Sequence, residues 1–282
     1  MMMQSMRRLL GAIAVAAAVS LPALAAGPTM DAATETKLKT LLAGPQRSET
    51  NKARDAYRHP LETLKFFGLN QNMAVMEIWP GGGWWTEFLA PLMAEKGRYV
   101  AAHYDPASPQ AYYQKAVASY KDMLAKEPAT YGKVELTALS PATGKAEPVK
   151  PGTLDMVMTF RNLHNWMGDG SAKTMIDAMY GSLKPGGYLG VEEHRAANTA
   201  EQDPKAPKGY VREDYAIKLF EASGFKLVAK SEANANPKDT KDYPKGVWTL
   251  PPNFREGDTD RAKFAAIGES DRMTLLFQKP SK

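Results

Sequence analysis

The run Ala74-Val75-Met76-Glu77-Ile78 is apolar at every position but one and stops at Trp79-Pro80-Gly81-Gly82-Gly83, after which Trp85, Phe88, Leu89 and Leu92 recur at helical spacing. A short apolar run closed by proline and glycine reads as a buried strand, and the spacing beyond it as an amphipathic helix. The glycines therefore occupy the turn from strand to helix. There backbone amides point outward, and a phosphate- or adenosyl-bearing ligand can approach closely. A chain built on such a turn is constrained to an α/β sheet with its ligand edge beyond the carboxyl ends of the strands.

The remaining chain repeats the alternation. Before the turn, Leu38, Leu41 and Leu42 make a thin stripe on a surface helix, and Arg54 to Phe67 places Leu61, Leu64 and Phe67 at helical spacing with Gly68 as its stop. In many α/β enzymes such a preceding helix lids the ligand cleft. After the turn, strands are predicted at Arg98 to His103, Lys133 to Leu139, Thr153 to Phe160, within Leu183 to Val191, at Gly224 to Ala229 and at Arg272 to Phe277. Helices are predicted from Ser108-Pro109 to Glu127, after a cap at Asp169 or Ser171, and over Tyr210 to Ala222. Strands alternating with helices require a mostly parallel sheet covered on both faces, and only the final pair, joined without a clear amphipathic helix, reads as antiparallel. The expectation is an α/β, doubly wound, mostly parallel seven-stranded sheet.

The extreme N-terminus is a different kind of segment. Arg7 and Arg8 precede an apolar run to Val19, and Leu21-Pro22-Ala23-Leu24-Ala25 supplies an Ala-x-Ala ending. This is the pattern of a secretory signal peptide over 1–25, cleaved after Ala25, and the alternative is an uncleaved anchor. The chain is thus expected to be exported, periplasmic or secreted, with no stable membrane span after cleavage. Removal of the leader lowers the formal charge from +5 to +3, because Arg7 and Arg8 leave and no acid does. Charge of that size, scattered among acids, is no nucleic-acid footprint, so no nucleic-acid partner is expected. The chain has no cysteine, which excludes disulfides and thiol chemistry. Residues 26–59 read as an N-terminal helical extension and 60–282 as one domain. Its segment at about 232–270 is too long and polar for a hairpin turn and is read as a functional or covering insertion.

Two motifs carry a resemblance. Glu77-Ile78-Trp79-Pro80-Gly81-Gly82-Gly83 is similar to motif I of the class I S-adenosylmethionine-dependent methyltransferases, E/D-x-G-x-G-x-G, with Trp79 where the first glycine stands in the family. Lys184-Pro185-Gly186-Gly187 resembles the segment before that family's fifth strand. The resemblance implies the Rossmann-like methyltransferase fold over Pro60 to Pro280, S-adenosylmethionine as cofactor, and methyl transfer to a small-molecule acceptor. It places Glu77, Trp79, Gly81, Gly82 and Gly83 against the cofactor. The acid that usually ends the second strand and takes the ribose hydroxyls falls on His103, with Asp105 two residues on as the substitute. No acid follows the third strand at Ser140-Pro141-Ala142.

Three of the four histidines, His103, His164 and His194, fall at strand ends, with Asn162, Glu192, Glu193 and Arg195. Methyl transfer needs alignment and, for a protonated acceptor, one base. His164 or His194 is the expected base and Asn162 the group orienting the acceptor. Two other readings are open. One is a metal-dependent enzyme using His103, His164 and His194 with Glu192 or Glu193; the other is a non-catalytic periplasmic binder of a nucleoside or aromatic ligand.

Overall fold

The computed structural model describes residues 27–199 and 201–282, so the expected leader and its cleavage point lie outside the described residues. The chain opens with α1 (Ala32–Ala43), α2 (Glu49–Lys52), α3 (Asp55–Arg58) and α4 (Pro60–Phe67). It continues as β1 (Ala74–Ile78), α5 (Thr86–Met93), β2 (Arg98–His103), α6 (Ala111–Lys126), α7 (Pro128–Tyr131) and β3 (Glu135–Ala138). The second half comprises β4 (Leu154–Phe160), α8 (Leu163–Asp169), α9 (Ala172–Ser182), β5 (Leu183–His194), α10 (Glu213–Ala222), β6 (Lys226–Ser231), α11 (Arg261–Ile267) and β7 (Arg272–Gln278).

The seven strands form one sheet in the order β3-β2-β1-β4-β5-β7-β6. The pairs from β3 through β5 are parallel, whereas β7 runs antiparallel between β5 and β6. The order reverses at β1 and β4, which is where a doubly wound sheet opens its ligand crevice. Side chains alternate across the sheet. Met76 and Ile78 face a core built with Met175, Ile176, Met179 and Phe220 of α9 and α10. Val75 faces a second core with Leu38, Leu64, Phe67, Phe88 and Leu92 of α1, α4 and α5. Glu77 shares the parity of Val75 and enters that second layer as a carboxylate among apolar side chains.

The differences from the predicted elements have local causes. The helix read over Arg54 to Phe67 is broken at His59, whose φ of 40° caps α3 and starts α4 at Pro60. Proline disfavours helical backbone in the residue before it, and the break re-aims α3. The helix expected from Ser108 begins at Ala111, and the one expected from Tyr210 begins at Glu213, because Val211 pairs instead with Arg195. A further helix, α8, follows β4 directly. The segment at 232–270 folds over its own small core of Tyr243, Leu250 and Phe264. Among the described residues no helix is long and apolar enough to cross a membrane.

Candidate functional site

At the carboxyl ends of β1, β2 and β4 lies a cleft of about 340 Å³, within the range of small-molecule sites. Its floor is the glycine turn. Gly81, with φ of 59°, takes the left-handed backbone that glycine adopts without penalty, and a Cβ added at Gly81 or Gly82 would meet nothing within 4 Å. Gly83 is different: its φ is 84° and an added Cβ would strike Met123 at 2.2 Å, so it serves packing against α6.

Trp79, where the resembled motif has its first glycine, takes a left-handed backbone with φ of 50°. Its side chain is turned sideways. Nε1 donates to the carbonyl of Leu139 at 2.9 Å, and the ring packs edgewise or tilted on Tyr104, Tyr113 and Trp166. The indole forms the cleft wall toward β2 and β3, away from the open space beside Gly81 and Gly82. Tyr104 and Tyr112 extend this aromatic wall, and Tyr112 is 70% exposed at the rim.

Glu77 is 2% exposed and lines the same cleft. Tyr99 donates its hydroxyl to Glu77 Oε2, and Thr86 Oγ1 links Tyr99 to Tyr120 at 3.0 and 2.9 Å. Burial pushes the Glu77 carboxyl up to about 7, against the Tyr99 hydrogen bond and the attraction of Arg161 and Arg58.

The opposite wall is cationic. Arg54 and Arg58 come from the re-aimed α3 and its first flank, and Arg161, with φ of 59°, follows β4. Arg54 and Arg58 each donate through Nε to Glu269, at 2.7 and 3.2 Å, and Arg58 lies 4.7 Å over the Trp84 ring. Arg161 donates to Glu192 at 2.6 Å, while Arg272 behind them bridges Glu269 and Glu192. Burial raises the Glu269 carboxyl, but Arg58, Arg272, Arg54 and Arg161 outweigh it and hold Glu269 down at about 2. None of these arginines was singled out in the sequence. The available signal was Arg54 and Arg58 spaced four apart in a segment expected to lid the cleft.

The remaining candidates divide into two groups. Asn162 lines the cleft; its Nδ2 ties Ile78 O at 2.9 Å to Thr159 Oγ1 at 3.2 Å and leaves Oδ1 free of a partner among the described residues. His103 does not face the cleft. Its Nδ1 accepts from the Tyr104 amide at 2.8 Å, so the proton sits on Nε2, which donates to Gly81 O at 3.1 Å. Burial depresses His103 to about 4, so the ring stays neutral. Asp105 caps its own loop at the Ala107 amide, 2.9 Å away, and is no cleft wall.

His164 and His194 lie outside the cleft lining as well. His164 Nδ1 is 2.9 Å from Glu193 Oε1, which also accepts from His194 N at 2.7 Å, while Oε2 accepts from His164 N at 3.2 Å. His194 Nδ1 meets Ser270 Oγ at 2.5 Å, and Trp248 of the insertion covers His164. Ligating atoms of His164, Glu193 and His194 fall within 4.8 Å of one another, but the carboxylate is already engaged by three N–H groups. His103 at the end of β2 is separated from His194 at the end of β5 by β1 and β4, about 14 Å of sheet, so the three histidines do not converge on one ion. Glu192 and Arg195 are likewise engaged, with Arg161 and with Asp271 and Glu232.

No protein-family model matches this sequence. No curated protein matches it either. Solved structures do. A SAM-dependent methyltransferase from Aquifex aeolicus is similar over 87% of this chain and 98% of its own, with a TM-score of 0.54 at 16% identity. The cyclase SpnF is similar over 92% and 99%, with a TM-score of 0.55 at 16% identity. At such identities the likeness is one of fold, and the sheet is the one the methyltransferase resemblance implied.

Proposed function

We propose that the chain is an S-adenosylmethionine-dependent methyltransferase acting on a small molecule, exported to the compartment its leader addresses. The observation that carries this reading is the open glycine turn with Glu77 beside it at the switch point of the sheet. The donor set fits the cofactor in two parts. The Gly81 and Gly82 backbone and the Glu77 carboxylate suit the amino-acid portion, and Trp79, Tyr104 and Tyr112 offer aromatic faces to a nucleobase. The shared fold with the Aquifex aeolicus methyltransferase supports the same reading.

When bound, the cofactor supplies an electrophilic methyl group on a sulfonium. Held by the Gly81–Gly82 backbone and Glu77, it would offer that methyl group to an acceptor lone pair and keep the carbon–sulfur electron pair, so no further co-reactant would be needed. The protein's part is alignment in the cleft, with Asn162 Oδ1 and the Asn165 side-chain amide available to orient the acceptor. Incubation of the mature chain with methyl-labelled cofactor and small molecules extracted from the periplasm tests the reading. Label should move to a small molecule, and Gly82→Trp, which fills the floor, should stop it. Label that never leaves the cofactor in any extract overturns the reading.

A further inference from the structure

The cationic wall bears on the acceptor. Four guanidinium groups, Arg54, Arg58, Arg161 and Arg272, are in direct ion pairs with only two carboxylates among the described residues, Glu269 and Glu192, while Glu193 and Glu77 act on Arg161 from further off. Arg54, Arg58 and Arg161 line the cleft. The Arg58 side chain is only 7% exposed, and among the described residues neither of its terminal nitrogens has a hydrogen-bond acceptor. Both terminal nitrogens of Arg54 and Nη2 of Arg161 are in the same position. Burial first, and the neighbouring Arg161 second, depress the Arg58 guanidinium well below its usual value, against the attraction of Glu269.

A sulfonium cofactor would add positive charge beside these arginines. Its ammonium and carboxylate cancel and its sulfur remains positive, so the loaded cleft gains one more cation in a site partly shielded from water. We infer that Arg54, Arg58 and Arg161 form the binding site for an anionic methyl acceptor, a small molecule bearing an oxyanion group such as a carboxylate. The inference rests on the methyltransferase reading. Guanidinium forks match an oxyanion in geometry as well as charge. Such an acceptor also accounts for a cleft that no histidine lines among the described residues, because an oxyanion reaches the sulfonium already deprotonated.

Calorimetric titration of the mature chain with sodium malonate and with sodium sulfate, against a sodium chloride control and with or without saturating S-adenosylhomocysteine, tests it. Saturable binding of either anion that persists in the presence of S-adenosylhomocysteine is expected. It should weaken roughly tenfold in Arg54→Gln and in Arg58→Lys, the second keeping charge and losing the fork. Far-UV circular dichroism and thermal melts establish that both variants are folded. Three outcomes overturn the inference: no saturable anion binding, binding unchanged in both variants, or binding that S-adenosylhomocysteine abolishes, which would give the arginines to the cofactor's own carboxylate. If S-adenosylhomocysteine gives no heat, the methyltransferase reading fails by itself. Arginine-dependent anion binding would then still support these side chains as an oxyanion site.

Discussion

His103 Nε2 donates to the carbonyl oxygen of Gly81 at 3.1 Å, so the side chain that ends β2 grips the glycine turn itself. The residue standing where the methyltransferase family places an acid for its cofactor's ribose is here part of the turn's own support. His103→Ala would leave Gly81 O and the Tyr104 amide without their partners. It should cost about 1–3 kcal/mol in urea unfolding at neutral pH. His103 is depressed to about 4 in the fold, so its contribution is complete above pH 6.5 and is lost as pH falls toward 4. That part of the acid destabilisation should be missing in the variant.

Glu77 titrates in the opposite sense. Its folded value of about 7 lies above the ordinary 4.5, so the protonated carboxyl favours the native state, fully below pH 4.5, and the advantage is lost as pH rises through 7. Glu77→Gln fixes the neutral form. Its stability relative to the parent should be near zero at pH 5 and rise to the order of 2–3 kcal/mol at pH 8, read by chemical denaturation across pH.

The glycines of the turn should separate fold from ligand. Gly82→Ala places its methyl in open cleft, so thermal stability should stay within about 0.5 kcal/mol of the parent while ligand affinity falls. Gly83→Ala puts a Cβ on a backbone with φ of 84°, where the end of Met123 must also swing aside, and should destabilise by about 1 kcal/mol. Equal effects of the two substitutions on melting would contradict this division of labour.

Trp79 is expected to be structural as well as a wall of the site. Trp79→Phe keeps an aromatic ring but strands the Leu139 carbonyl, at about 1–2 kcal/mol. Trp79→Gly, which restores the family residue, should lose about 3–5 kcal/mol, because Tyr104, Tyr113 and Trp166 all lose their packing partner. Thermal melts of the two variants give the order.

The architecture was legible because each strand and helix carries its own period, and because the turn at Pro80 to Gly83 and the Lys184 to Gly187 run fix where strands begin and end. Glu77, Trp79, Gly81, Gly82 and Asn162 were legible for the same reason: they sit at the carboxyl end of a strand that the pattern reveals. The arginine wall was not. Arg54 and Arg58 reach the cleft only because His59 and Pro60 break a helix that the spacing reads as continuous. Arg161 joins them only through the β1–β4 pairing. Nor does a strand-end position tell which way a histidine turns. His103 bends back onto the turn, while His164 and His194 turn to Glu193 and Ser270 beneath the insertion.

The most direct test of the central claim, that the Gly81 to Gly83 turn and Glu77 hold an adenosyl amino acid, is calorimetry of the protein with S-adenosylhomocysteine. One saturable site per chain, weakened about tenfold or more in Glu77→Ala, is the result this account predicts. No heat at high micromolar ligand, or an affinity indifferent to Glu77, would contradict it.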